Sequence, residues 1–274
     1  MIKNKISIVL LVIFVVLISS QSCTFNKIKK STDSKAKLKA AMGYYEDAKY
    51  AKALILFEDI ILITRMTEEG EEVMYTFAYS YYKMKDYVLA GYYFRKYIET
   101  YPKGKYAEDS QFMSAKCSYL DSPRPSLDQS ATLVALQEFE IFITKYPNTE
   151  HLLEVNEYID KLRYKLEQKS YESAKLYYDI GYYNAAVTAL SSSLKEYPDS
   201  KYKEEILYYI MKANFDYSEN SVTSKQKERY NKTVSACVKL IQKFPETKYL
   251  KEASRIKKIS EKNINKFTNK VKTN

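Results

Sequence analysis

Few side chains in this 274-residue chain could carry covalent or acid–base chemistry. There is one histidine, His151, and there are three cysteines, Cys23, Cys117 and Cys237. A histidine acting as base or ligand needs a partner, and none stands at a useful spacing from His151, so it reads as a surface residue. No phosphate-binding glycine loop, dinucleotide fingerprint or metal-spaced cluster occurs. Acidic residues fall beside lysines on helix faces, which is the pattern of a solvated surface. The expectation is a protein with no catalytic residue, no metal site and no cofactor, and not an enzyme. What remains is Cys23 and a surplus of tyrosine, 29 residues in all.

Cys23 stands at the end of an ordered segment. Lys3 and Lys5 make a basic start, Ile6–Ile18 is an apolar run broken only by Ser7, and Ser19-Ser20-Gln21-Ser22 is a short polar exit. Residues 1–22 therefore read as a secretory signal, and the apolar run is short for a bilayer-spanning helix. A cysteine directly after it resembles the bacterial lipoprotein signal, in which that cysteine is lipidated and begins the mature chain. Ser20 departs from the leucine usual there, and Ser22 fits. Loss of Lys3 and Lys5 lowers the net charge from +10 to +8. Residues 23–35 then form a lysine-rich tether that could lie against anionic headgroups or stay solvated.

The rest of the chain is ordered by a recurring phrase. It reads Tyr101-Pro102 with Tyr106, Tyr146-Pro147 with His151, Tyr197-Pro198 with Tyr202, and Phe244-Pro245 with Tyr249. Each is an aromatic, a proline and a ring four positions later. Proline disfavours α geometry at the preceding residue, so each incoming helix should stop at the aromatic. Thr149, Ser200 and Thr247 are candidate N-caps for the next helix, with Glu150, Glu204 and Glu252 favourable in its first turn. Fourteen residues before three of the aromatics stand Tyr87, Tyr183 and Tyr230, each followed after three positions by Ala90, Ala186 or Thr233. Thr132 with Ala135 and Tyr50 with Ala53 complete five units. Cys117 and Cys237 lie about two units apart, farther than a disulfide reaches, and read as buried thiols.

Within the units the apolar period is helical. Ala90, Tyr93, Phe94, Tyr97, Ile98 and Tyr101 follow it, as do Ala186, Ala189, Leu190, Leu194 and Tyr197. The chain is 46% hydrophobic, with five glycines and six prolines, which suits helices. Unit two resembles a tetratricopeptide repeat at Met74, Phe77, Ala78, Tyr81, Tyr87, Ala90, Phe94 and Pro102. Unit four does so at Ala174, Tyr177, Tyr183, Ala186, Leu190 and Pro198. The fold class expected is an all-α, tetratricopeptide-like α-solenoid of about five helix hairpins over residues 36–262, with a basic tail at 263–274. One long helix is expected over 151–180. A proline-rich insertion at 119–132 could form a capping box through Ser126 and Gln129.

The tetratricopeptide resemblance places Met42, Tyr45, Tyr75, Tyr79, Tyr82, Tyr171, Lys175 and Tyr178 on a groove face. Tyrosine there suits peptide recognition, and the alternative is that neighbouring helices cover the rings. Lys248, Lys251, Arg255, Lys257 and Lys258 make a basic C-terminal end. The lysines are otherwise spread out, and with export this argues against nucleic acid as a partner.

Lipidation signal, repeat phrases and the loop Ser122-Pro123-Arg124-Pro125-Ser126-Leu127-Asp128-Gln129 together resemble the BamD-type lipoproteins of the outer-membrane β-barrel assembly machinery. The loop resembles Bacteroidetes-type versions, and the likeness covers about residues 23–262. It implies a non-enzymatic scaffold anchored by lipid on the periplasmic face of the outer membrane. It implies binding to a BamA-like barrel-assembly protein through the C-terminal repeats and to unfolded outer-membrane proteins nearer the N-terminal ones. In unit four, Ala185–Ser193 offers no charge to carry the family's contacts. Two alternatives stay open. One is a tetratricopeptide lipoprotein coordinating cell-wall synthesis with division, although no heptad segment precedes Ala36. The other is a SusD-like glycan-binding lipoprotein, although the chain has no tryptophan.

Overall fold

The computed structural model describes residues 25–272, with side chains to Phe267. Cys23 and the 1–22 signal lie outside the described residues. Those described are helical, with turns between, and none is in a strand. After a short helix α1 (residues 25–29) come α2 (Ser34–Glu46), α3 (Tyr50–Thr64), α4 (Gly70–Lys83) and α5 (Tyr87–Thr100). Next are α6 (Ala107–Asp121), α7 (Ser130–Lys145), α8 (Leu152–Asp179) and α9 (Tyr183–Glu196). The last three are α10 (Lys203–Glu219), α11 (Thr223–Lys243) and α12 (Leu250–Lys272). Paired in order from α2, these make the five expected hairpins, and α12 follows them as a single helix. Helix α8 is the long helix expected over 151–180.

Two compact units can be drawn, divided at Ile159–Asp160, with Arg124–Asp128 grouped with the second. In the first, each helix from α2 to α7 packs on its chain neighbour. Tyr158 near the start of α8 closes this unit against Tyr119 and Phe139, with ring centroids 4.3 and 5.5 Å away. In the second, α9 packs on α10, α10 on α11 and α11 on α12. Tyr171 and Tyr178 of α8 pack there beside Ala174, Ala186, Leu190, Ile206 and Ala213.

The small-residue marks all lie inside the packed core. Ala53, Ala90, Thr132, Ala135, Ala186 and Thr233 are all fully buried. Phe77, Ala78, Tyr81 and Phe94 fill the core as the repeat pattern requires. Tyr177 does not. It is 44% exposed, because the face of α8 that meets the core is centred on Ala174, Tyr171 and Tyr178.

The turns inside hairpins one, two and four share one geometry. Ala48, Lys85 and Gly181 have φ of 57°, 63° and 84°. In hairpin two, Lys85 N–H donates to Tyr82 O and Asp86 N–H to Tyr81 O, which is a Schellman motif. The equivalent pairs recur as Ala48–Tyr45 with Lys49–Tyr44, and Gly181–Tyr178 with Tyr182–Tyr177. Only at the fourth does glycine occupy the left-handed position.

Each proline phrase ends its helix as expected. Tyr101, Tyr146, Tyr197 and Phe244 are the C-caps, with φ between −124° and −136° and ψ between 65° and 79°. The expected N-caps are corrected. Thr149, Ser200 and Thr247 accept from the N–H two residues on, of His151, Tyr202 and Tyr249. They make local side-chain turns that end before the helices begin at Leu152, Lys203 and Leu250. The Ser126–Gln129 capping box also does not form. Gln129 is itself the N-cap of α7, and its Oε1 accepts from the Thr132 hydroxyl at 2.7 Å. The insertion narrows to residues 122–129.

Candidate functional site

The ring four positions after each proline has one job in all four copies. Tyr106 stacks on Tyr75 of α4, with centroids 4.1 Å apart and planes at 13°. His151 stacks on Phe112 of α6 at 4.0 Å and 6°. Tyr202 lies on Tyr171 of α8 at 4.8 Å and 16°, and Tyr249 on Tyr208 of α10 at 3.8 Å and 15°. Each turn thus presses a flat ring onto the first helix of the hairpin it closes. Such pairs are worth about 0.5–1.5 kcal/mol beyond the area they bury. His151 is therefore a stacking residue rather than a surface one. It also approaches Glu154 at 3.8 Å and Glu150 at 3.9 Å.

In three of the four copies an acid three positions after the ring also bonds to that first helix. Asp109 accepts from the hydroxyls of Tyr75 at 2.7 Å and Tyr79 at 3.3 Å. Glu154 accepts from Lys116 at 2.9 Å and from Tyr158. Glu205 is the exception: it meets Lys248 of the following turn at 3.0 Å rather than a residue of α8. Glu252 accepts from Tyr208 at 2.9 Å and Lys212 at 3.2 Å. Burial alone would raise the Glu154 and Glu252 carboxyls, but the tyrosine hydroxyl and ammonium donors outweigh it and hold both below the usual range. The first-turn acids read from sequence were Glu150, Glu204 and Glu252. Glu150 is exposed, and Glu204 accepts from the Thr247 hydroxyl. The ring-plus-three spacing was present in the sequence and would have singled out Asp109, Glu154, Glu205 and Glu252.

The groove residues sort by unit. In the first, Met42, Tyr45, Tyr75, Tyr79 and Tyr82 are all half-buried. Tyr79 makes edge contacts with Phe94 and Tyr82, while Tyr45 rests on Tyr50 and Tyr82 on Tyr87. Burial and the Asp109 carboxylate push the Tyr79 hydroxyl up to about 12. In the second, Tyr171 and Tyr178 are half-buried, and Tyr178 donates to Asp216 at 2.8 Å. Lys175 pairs with Asp179 at 2.6 Å and lies 5.0 Å over the Tyr209 ring. Tyr75 is thus held through both its ring and its hydroxyl, whereas Tyr45 and Tyr82 are held through ring contacts.

The basic end is partly paired in place. Lys248 pairs with Glu205 at 3.0 Å, Arg255 approaches Glu252 at 3.9 Å and Lys257 approaches Glu261 at 3.8 Å. Lys251 and Lys258 stand exposed beside them. Elsewhere in the first unit a cleft of about 620 Å³ opens among α3, α4 and α5, lined by Leu62, Arg65, Met74, Tyr92 and Lys96. Sequence reasoning missed it, because its walls come from three helices. Among the described residues no group of His, Cys, Asp and Glu could hold a metal ion, and no helix is long and apolar enough to cross a membrane.

Hairpins joined by ring stacks, with half-buried tyrosines on their first helices, define a repeat protein of the tetratricopeptide-like, all-α class. The family described as YfiO, outer membrane lipoprotein, matches residues 30–230. This chain belongs to that family. It is also 30% identical over 173 residues to a protein of Aquifex aeolicus (strain VF5) described as outer membrane protein assembly factor BamD. The match takes in 62% of this chain and 55% of that relative, so the chain spans about half the relative's length.

Proposed function

We propose that the protein is a non-enzymatic scaffold of outer-membrane β-barrel assembly, held by lipid on Cys23 at the periplasmic face of the outer membrane. The observation that carries this is the family match across residues 30–230, most of the five hairpins. In this reading hairpins four and five dock a BamA-like barrel-assembly protein. Lys251 and Lys258 would sit at the rim of that contact and steer encounter more than they add affinity. The half-buried tyrosines of α2 and α4 receive extended segments of unfolded outer-membrane proteins. Their ring edges offer apolar area at low entropy cost.

Affinity purification from gently solubilised membranes tests the scaffold role. The barrel-assembly protein should co-purify with the full chain and be lost when residues 160–274 are removed. Recovery of cell-wall synthases in its place would move the function to division control. The groove is best tested at Tyr45 and Tyr82, since removing Tyr75 would also unlink a joint. Tyr45→Ala/Tyr82→Ala should weaken binding of barrel-strand peptides severalfold in a chain with unchanged circular dichroism. Unchanged affinity would assign these rings to structure alone. Cys23→Ala should release the protein from membranes. If the wild-type chain is already soluble and unlipidated, the anchor is not there.

A further inference from the structure

Residues 23–35 read from sequence as a tether, yet the described part of them is folded onto the first hairpin. Lys30 N–H donates to Asn26 O and Ser31 N–H to Ile28 O, closing α1. Phe25 lies edge-on to Tyr44 of α2, with centroids 5.6 Å apart. Lys52 of α3 reaches over both rings, 5.5 and 5.6 Å from their centroids. Asp33 then caps α2, its Oδ1 accepting from the N–H groups of Lys35 and Ala36. The segment is thus tied to the first hairpin at both ends, by the Phe25 ring and by the Asp33 cap.

This edge is strongly basic. Residues 25–40 carry Lys27, Lys29, Lys30, Lys35, Lys37 and Lys39 against Asp33. Lys37 is spent on Asp59 at 2.6 Å. The other five are exposed. The acids that face them are few: Asp33 is turned into the helix cap, and Glu69 lies within electrostatic reach of Lys35. Lys35 and Lys39, four apart on α2, share a face.

We propose that α1 and the start of α2 form a binding surface for the phosphates of anionic lipid headgroups, with Lys27, Lys29, Lys30 and Lys35 as its contacts. The orientation rests on the lipid-anchor reading. One residue, Thr24, separates Cys23 from Phe25, and two extended residue steps span at most about 7 Å. A lipid on Cys23 would therefore hold Phe25, and the hairpin it is pinned to, at the headgroup layer. Ammonium groups there meet a negative surface within a Debye length. The first hairpin is then held to the bilayer at a lipid and a charged face, so it cannot swing freely about a leash.

The full chain, purified from membranes, is reconstituted on vesicles of phosphatidylcholine alone or of three parts phosphatidylcholine to one part phosphatidylglycerol. A membrane-impermeant amine reagent is applied and each lysine is followed by mass spectrometry. Lys27, Lys29, Lys30 and Lys35 should react roughly threefold more slowly on the mixed vesicles. High salt should abolish that difference, and Lys225 and Lys227 of α11 should react alike on both. Equal rates on the two vesicle types would overturn the proposal. So would protection on both that salt does not relieve, since that is proximity alone. If Cys23 carries no lipid, the chain will not stay on neutral vesicles, which removes the anchor reading separately. Flotation on mixed vesicles then decides: the wild type should float and Lys27→Glu/Lys29→Glu/Lys30→Glu should not, and equal behaviour of the two overturns the surface.

Discussion

At the scale of residues, the ring joints make a quantitative claim. Tyr75 loses both a stack and a charge-assisted hydrogen bond when truncated, so Tyr75→Ala should cost about 2–4 kcal/mol. Tyr75→Phe keeps the stack and should cost about 1 kcal/mol, or somewhat more because Asp109 loses a donor. A double-mutant cycle of Tyr75→Ala with Tyr106→Ala, read by urea unfolding, should give a coupling of about 1 kcal/mol. A coupling near zero would mean that the two rings merely lie together. The thiols carry a second test. Burial pushes Cys117 and Cys237 up to about 12. Neither should react with a disulfide reagent at neutral pH until the chain unfolds, and prompt labelling of native protein would contradict their burial.

Among elements, the Schellman turns set the clearest prediction. A non-glycine residue in the left-handed region costs about 1–2 kcal/mol, and part of this returns as glycine's larger entropy loss on folding. Lys85→Gly and Ala48→Gly should therefore each stabilise by roughly 0.5–1 kcal/mol. Gly181→Ala should destabilise by about 1 kcal/mol, although its Cβ would meet nothing within 4 Å. Thermal or urea melts of the three variants check the signs together. Pro198→Ala should cost under about 1 kcal/mol, because Tyr197 N–H to Ser193 O and Ser200 N–H to Tyr197 O hold that turn without it. Ala186→Phe, in contrast, overfills a closed helix contact and should cost 3 kcal/mol or more by the order of magnitude of core overpacking. These turns show how far the sequence could be read. The aromatic–proline pair named the C-caps, because proline acts on the residue beside it. The left-handed turns were not legible: only Gly181 advertises one, and Ala48 and Lys85 adopt the left-handed φ within the same pair of backbone bonds.

For the whole molecule, alkaline pH should be the destabilising direction. Burial and hydrogen bonds to carboxylates push the hydroxyls of Tyr79, Tyr158 and Tyr230 up to about 12 from 10.0. Cys117 rises to about 12 from 9.0. In each case the unfolded chain releases its proton first, so the folded state binds more protons and stability falls as pH rises. The loss should begin near pH 9 with the thiols and steepen above 10 with the tyrosines. Cys117 alone should contribute a slope of about 1.4 kcal/mol per pH unit within its window, and Cys117→Ala should remove it. Urea midpoints from pH 7 to 11 would show this, and a flat profile would refute it. At this scale the number and order of hairpins were legible from the marks alone. The placement of α1 on Tyr44 was not, since a lysine-rich stretch with one phenylalanine reads as solvent-exposed until its partner ring is known.

The ring joints also bear on how such a chain can change over generations. Successive first marks lie 37, 45, 51 and 47 residues apart by sequence number, yet every proline-turn ring finds its platform. What is held constant is a point of attachment, while the span between attachments drifts. The insertion at 122–129 and the longer helices α8 and α11 add length without taking a ring off its platform. A constant period is then the wrong ruler for aligning copies of this repeat, and the ring with the acid three residues later is the right one. Anyone lengthening or shortening the chain should keep those two fixed and spend the added residues between them.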